Sequence, residues 1–130
     1  MIVLDASVVV ELLANSALGR SIRHQLAATS KSFVVPHLID IEVLSALRRL
    51  AAAQRIDSHR AAQLLTELAA LPVERYPHEP LIARIWELRN HFTAYDATYI
   101  ALAEATGSIL FTCDESLRKG HRSRVVVFTN

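Results

Sequence analysis

Four acidic residues follow predicted strands or open predicted helices, positions that meet at one edge of a parallel sheet. Asp5 ends the first apolar run, and Asp114 comes two residues after the apolar run 109–112. Glu42 lies in the first turns of one predicted helix and Asp96 in the first turn of another. In open α/β sheets, ligands bind beyond the carboxyl ends of the strands. We therefore expect these four carboxylates to share one cleft.

Carboxylates crowded into one cleft repel one another and raise each other's pKa values, a conflict that a bound divalent cation removes. Sites made only of carboxylate oxygens suit Mg²⁺ or Mn²⁺. The six histidines and the single cysteine, Cys113, do not have the spacing of a zinc site. The pattern predicts a Mg²⁺ or Mn²⁺ site in which the four acids are the ligands.

Each acid also has a local explanation that the sequence leaves open. Asp5 fits a turn at a strand end, and Asp114 fits the N-cap of a short helix. Thr93 and Asp96 have the spacing of a capping box, with Asp in place of the usual Glu. Taken one at a time, these explanations compete with a metal site, but capping alone explains four acids at one sheet edge poorly.

The helix that contains Glu42 also contains Asp40, and only one of the two can face the cleft. Successive helical residues turn by about 100°, so the two side chains differ by about 200°. Leu38, Ile39, Ser45 and Ala46 surround Glu42 at helical spacing and provide no basic partner. We therefore assign Glu42 to the cleft and expect Asp40 to face solvent.

Apolar runs that alternate with helical patterns predict the elements that position these acids. The predicted strands cover 2–5, 33–36, 73–76, 109–112 and 125–128. The predicted helices cover 7–13, 16–28, 38–53, 57–70, 79–90 and 93–106, with a short one after Asp114. Near-continuous apolar strands of this kind are typical of a parallel sheet buried on both faces, with 73–76 as an edge. The chain is thus predicted to be one α/β domain, residues 1–130, with a mostly parallel sheet of about five strands.

Composition limits the remaining possibilities. Apolar residues make up 52% of the 130 residues and the formal net charge is +1, so neither disorder nor a strongly basic nucleic-acid binder is indicated. One cysteine excludes an intrachain disulfide. The N-terminus lacks a basic segment, and no uncharged stretch approaches the roughly 18 residues that span a bilayer. We expect a soluble cytoplasmic protein with no membrane association.

Three stretches together resemble the PIN domain, and more closely a VapC-type ribonuclease toxin of bacterial toxin–antitoxin systems. They are IVLDAS (2–7), LSALRRL (44–50) and YDATYIALAEATGSILFTCDESL (95–117). The resemblance places the family's acidic constellation on Asp5, Glu42, Asp96 and Asp114. It places supporting hydroxyls on Thr112 and Ser7.

The resemblance implies a three-layer α/β/α fold and Mg²⁺- or Mn²⁺-dependent cleavage of RNA, leaving a 5′-phosphate and a 3′-hydroxyl. It also implies a homodimer and a VapB-type antitoxin whose C-terminal segment covers the cleft. RNA bound beside an acidic cleft requires positive charge nearby, and a basic segment after Asp114 could provide it. The alternative interpretation of this segment is a solvated loop. That segment contains Arg118, Lys119, Arg122 and Arg124.

An alternative function is a catalytically inactive PIN-like module that binds RNA or protein through the same surface. Arg48 and Arg49 are interpreted as solvated or as antitoxin contacts. Tyr95, Tyr99 and Trp86 are interpreted as core residues.

Overall fold

A five-stranded parallel sheet forms the centre of the structure, a computed structural model that describes residues 1–130. Its strands are β1 (Ile2–Leu4), β2 (Phe33–Pro36), β3 (Glu74–Tyr76), β4 (Ile109–Thr112) and β5 (Val125–Val127). The spatial order is β3-β2-β1-β4-β5, and every neighbouring pair is parallel. The predicted parallel sheet is confirmed, with strand ends displaced by at most one residue.

The strand order reverses at β1, which pairs with β2 on one side and with β4 on the other. Leu4 is aligned with Phe111, so the residues that follow these two strands emerge side by side. In open α/β sheets this reversal point is where ligands bind. The chain before Asp5 and the chain before Asp114 therefore end at the same place.

Six helices cover the sheet in two layers. They are α1 (Ala6–Ala14), α2 (Ala17–Ala27), α3 (Leu38–Ala52), α4 (Ser58–Ala69), α5 (Ile82–Glu87) and α6 (Ala94–Thr106). Helix α6 packs on β1, β2 and β4 and supports α5, whereas α1 packs on β4 and contacts α2, α3 and α4. The three-layer α/β/α arrangement implied by the family resemblance is confirmed.

Local signals set most of the helix ends. Asp57 caps α4 and Thr93 caps α6, each by accepting a hydrogen bond from a backbone N–H in the first turn. Gly107 ends α6 in the left-handed conformation, with φ of 63°. The predicted helix 79–90 is instead a 3₁₀ turn, Glu79–Leu81, which contains Pro80, followed by α5. Helix α5 ends at Glu87, three residues before the predicted end.

The core contains 27 buried apolar residues that lie on both faces of the sheet. Tyr99 belongs to it, with only 1% of its surface exposed, as predicted. The same prediction is wrong for Tyr95 and Trp86, which are 59% and 66% exposed. Arg89 stacks on the Trp86 ring at 4.5 Å from its centroid, so one face of the indole contacts a cation rather than the core. No helix has the length and apolar character needed to cross a membrane.

Candidate active site

A cleft of about 380 Å³ opens at the point where the strand order reverses. Helices α1, α3 and α6 and the segment after β4 contribute its walls. The lining residues are Asp5, Ala6, Ser7, Val10, Glu11, Glu42, Ala46, Arg49, Asp96, Tyr99 and Asp114. The structure thus places all four predicted acids on one cleft.

Asp5 is the most buried of the four, with 5% of its surface exposed. Its carboxylate caps α1 by accepting from the backbone N–H of Val8 at 3.1 Å, and it accepts from the Ser7 hydroxyl at 2.5 Å. The Thr112 hydroxyl donates to its other oxygen. Burial raises the pKa of Asp5, and these hydrogen bonds oppose the rise by stabilising the charged form.

Ser7 and Thr112 each connect Asp5 to the end of β4. The Ser7 hydroxyl, which donates to Asp5, accepts from the backbone N–H of Cys113 at 2.9 Å. The Thr112 hydroxyl, which also donates to Asp5, accepts from the backbone N–H of Asp114 at 3.0 Å. Both hydroxyls therefore orient Asp5 and fix the backbone that carries Asp114.

Asp96 lies in the first turn of α6, and its backbone N–H donates to the Thr93 hydroxyl at 3.1 Å. Its half-buried side chain faces the cleft. Burial, followed by the charges of Asp114, Asp5 and Glu42, raises the pKa of Asp96 from 3.8 to about 6. A shift with these causes means that the four carboxylates act on one another electrostatically.

Glu42 extends from α3 with one carboxylate oxygen, Oε1, fully buried and without a hydrogen-bond partner. Burial raises the pKa of Glu42, the Tyr99 hydroxyl opposes this rise, and the negative charge of Asp5 adds to it. Asp40, which we expected in solvent, instead receives two hydrogen bonds of 2.9 Å from Arg75 on β3. The choice between these two acids nevertheless agrees with the structure, since only Glu42 lines the cleft.

Asp114 is exposed and also has a local structural role. Its carboxylate accepts from the backbone N–H of Ser116 at 2.9 Å and from the Ser116 hydroxyl at 2.7 Å. It therefore caps the 3₁₀ turn Glu115–Arg118 with one oxygen, Oδ1. Oδ2 makes no hydrogen bond, so capping and a role in the cleft are compatible.

The donor set of the cleft suits a hard divalent cation. Every candidate ligand is a carboxylate oxygen, which Mg²⁺ and Mn²⁺ prefer, and Glu42 adds a buried oxygen with no protein partner. As placed, however, no three acidic, histidine or cysteine side chains are grouped closely enough to coordinate one ion. The residues fit such an ion in the chemistry of their donor atoms and in their shared location.

The four basic residues that we predicted as possible RNA contacts are not part of the cleft. Arg118, Lys119, Arg122 and Arg124 do not line the cleft. Arg118 forms an ion pair with Glu115, and the backbone N–H of Arg122 donates to Glu104. A role for these four residues in RNA binding stays a prediction.

Arg49 is the one basic side chain that lines the cleft. It makes no ion pair, and its only hydrogen bond is a 3.3 Å contact to the Ser45 hydroxyl. The signal for it was in the sequence: Arg49 follows Glu42 by seven residues, about two helical turns, and so lies on the same face of α3. Glu11, a further acid of the cleft, has a similar signal, since it follows Ser7 by four residues on α1 and so lies on the same face of that helix.

Comparisons with known proteins agree with this geometry. Residues 2–121 match the family model described as PIN domain. Ribonuclease VapC12 of Mycobacterium tuberculosis is 36% identical over 121 residues, which is 93% of this chain and 92% of that protein. Ribonuclease VapC9 of the same organism is 44% identical over 114 residues, covering 88% and 86% of the two chains. A chain of VapBC2 from Rickettsia felis, solved with a DNA fragment from the promoter, has the same fold with a TM-score of 0.74, 12% identity and coverage of 99% and 100%.

Proposed function

Since this chain belongs to the PIN-domain family of VapC ribonucleases, we propose that residues 1–130 form one domain that cleaves RNA with the help of Mg²⁺ or Mn²⁺. The observation that carries the proposal is the shared cleft of Asp5, Glu42, Asp96 and Asp114. Structural ion pairs do not explain it, because none of the four is paired with a basic side chain. In this proposal the four acids bind the cation.

The side chains of the cleft have distinct roles in the proposed reaction. A divalent ion, when bound, lowers the pKa of water and offsets charge on phosphoryl oxygens. Ser7 and Thr112 hold Asp5 in one orientation, which fixes a ligand before the ion arrives. Arg49 lies where it can donate to a substrate phosphate. Water adds across the bond between phosphorus and the 3′ oxygen, leaving a 5′-phosphate and a 3′-hydroxyl.

The test is RNA cleavage by the purified chain with Mn²⁺ or Mg²⁺, with and without EDTA. Wild type should cut, EDTA should abolish cutting, and Asp5→Asn and Asp96→Asn should each reduce it by at least about 100-fold, a loss of transition-state stabilisation near 3 kcal/mol. Asp57→Asn is the matched control, since Asp57 caps α4 outside the cleft. If wild type binds RNA without cutting it, the inactive binding module is the correct function instead.

We also propose that the chain pairs with a VapB-type antitoxin and forms a homodimer. A groove of about 750 Å³ among α1, α2 and α4 is lined mostly by apolar side chains, which suits a protein partner. Ile82 and Trp86 are exposed one turn apart on α5, which supports a second contact surface. Sedimentation of wild type and of Trp86→Glu, alone and with the antitoxin, tests both partners.

A further inference from the structure

Tyr99 is a buried aromatic residue whose polar end reaches the acidic cleft. It follows Asp96 by three residues on α6, so the two side chains lie on the same side of that helix. The ring belongs to the core and 1% of the residue is exposed, yet Tyr99 also lines the cleft. The side chain therefore connects the packed interior to the proposed metal site.

The Tyr99 hydroxyl is fully buried and makes no hydrogen bond of standard geometry. Buried polar groups are nearly always paired, and each exception requires an explanation. Glu42 Oε1 is the other buried cleft oxygen without a partner. The two groups are near enough to affect each other: Glu42 helps to raise the pKa of the phenol, whose main cause is burial. The phenol hydroxyl is a hydrogen-bond donor and the carboxylate oxygen an acceptor.

We propose that Tyr99 is a positioning residue for Glu42. In this proposal a small rotation lets its hydroxyl, unpaired in the structure, donate to Oε1, which holds the carboxylate and leaves the other oxygen, Oε2, free to bind the cation. This inference rests on the proposed function, because it assigns Glu42 to the metal. Glu42 has no other side chain to hold it, since Arg49 on the same helix bonds to Ser45.

Core packing alone predicts a different outcome when the hydroxyl is removed. Tyr99→Phe keeps the ring and deletes a donor that has no partner, so packing predicts unchanged or increased stability and unchanged metal binding. Positioning predicts a loss of metal affinity, because hydrogen bonds to a ligand fix its orientation. Losing such a bond weakens metal binding by about 10- to 100-fold.

The experiment measures Mn²⁺ binding by calorimetry for the full chain, for Tyr99→Phe and for Tyr95→Phe. Tyr95 is the matched control because it lies one turn away on α6 and is exposed. We expect the dissociation constant to rise about 10- to 100-fold for Tyr99→Phe and to stay unchanged for Tyr95→Phe. Circular dichroism of each variant establishes that the fold is retained.

A double-mutant cycle with Glu42→Ala identifies the route of the effect. If Tyr99 acts through Glu42, Tyr99→Phe changes Mn²⁺ affinity in wild type and not in Glu42→Ala. The ultraviolet absorption of tyrosine should also shift when Mn²⁺ is added to wild type and not to Tyr99→Phe.

Two results overturn the inference. If wild type binds Mn²⁺ and Tyr99→Phe binds it equally well, or loses the same affinity in the Glu42→Ala background, positioning by Tyr99 is wrong and the proposed function is untouched. If wild type binds no Mn²⁺, the metal-dependent function fails and this inference fails with it.

Discussion

The hydroxyl of Thr112 donates a hydrogen bond to Asp5, although the two residues are 107 positions apart in the chain. The same hydroxyl accepts from the backbone N–H of Asp114. Thr112 is fully buried and Asp5 nearly so, which means that water cannot replace the bond between them without opening the core. One hydroxyl group therefore joins the first proposed ligand to the last.

Thr112→Val should weaken both the fold and the site. The substitution keeps the shape of the side chain but leaves the Asp114 N–H without its acceptor and Asp5 Oδ2 without its donor, whereas Ser7 and Val8 still donate to Oδ1. We expect a loss of about 1–3 kcal/mol in the free energy of unfolding and a weaker affinity for Mn²⁺ by about 10- to 100-fold. Urea denaturation and calorimetry measure the two effects. Thr66→Val on exposed α4 is the control and should change the unfolding free energy by less than about 0.5 kcal/mol.

The stability of the metal-free protein should depend on pH through Asp96. Its pKa is about 6 in the fold against an ordinary value of 3.8, so between these values the folded state holds more protons than the unfolded state. The free energy of unfolding should therefore fall as pH rises through this interval, and it should not recover above it. Asp96→Asn removes this contribution. Denaturation in EDTA, repeated from about pH 4 to about pH 7, should show the unfolding free energy of the variant rising relative to that of wild type as pH rises. A difference in unfolding free energy that is independent of pH would contradict the raised pKa of Asp96.

Arg49→Ala should weaken RNA binding while leaving the four acids in place. Loss of one phosphate contact should raise KM several-fold with little change in kcat, and it should reduce the salt dependence of binding by about one unit of slope. Arg48→Ala is the matched control, because Arg48 is the adjacent residue of α3 and does not line the cleft. If the two substitutions had equal effects, Arg49 would act only through its positive charge and not through a specific phosphate contact.

Gly19→Ala should destabilise the contact between α1 and α2. A Cβ at this position would lie 2.0 Å from the backbone oxygen of Glu11, and a backbone atom cannot move aside as a flexible side chain can. We expect a cost of about 3 kcal/mol or more, at the upper end of the range for overpacking. Gly107→Ala is the comparison: it has open space but a φ of +63°, so only about 1 kcal/mol is expected. Urea denaturation of both variants distinguishes a clash from backbone strain.

The sequence predicted the sheet well because each strand is a short apolar run and a parallel sheet buries both of its faces. It also selected Glu42 over Asp40, since helical geometry alone forbids both from facing one cleft. It did not predict the partner of Asp40. That partner, Arg75, is 35 residues away, and only the alignment of β3 beside β2 brings it near.

Exposure of single aromatic residues could not be predicted in the same way. Tyr95 and Tyr99 are one helical turn apart, and an apolar pattern treats them alike. Tyr95 lies at the start of α6, before the helix passes over the sheet, whereas Tyr99 lies where α6 is buried. Which turn of a helix meets the core depends on the tertiary packing of that helix.

The central position of β1 has a consequence for synthesis. Residues near the N-terminus leave the ribosome first, but the pairing of β1 with β4 and the hydroxyl that orients Asp5 come from residues 109–112. A nascent chain that does not yet include Thr112 therefore lacks both Asp114 and one of the two hydroxyls that orient Asp5. Hydrolytic activity of this site therefore requires synthesis of the chain through residue 114.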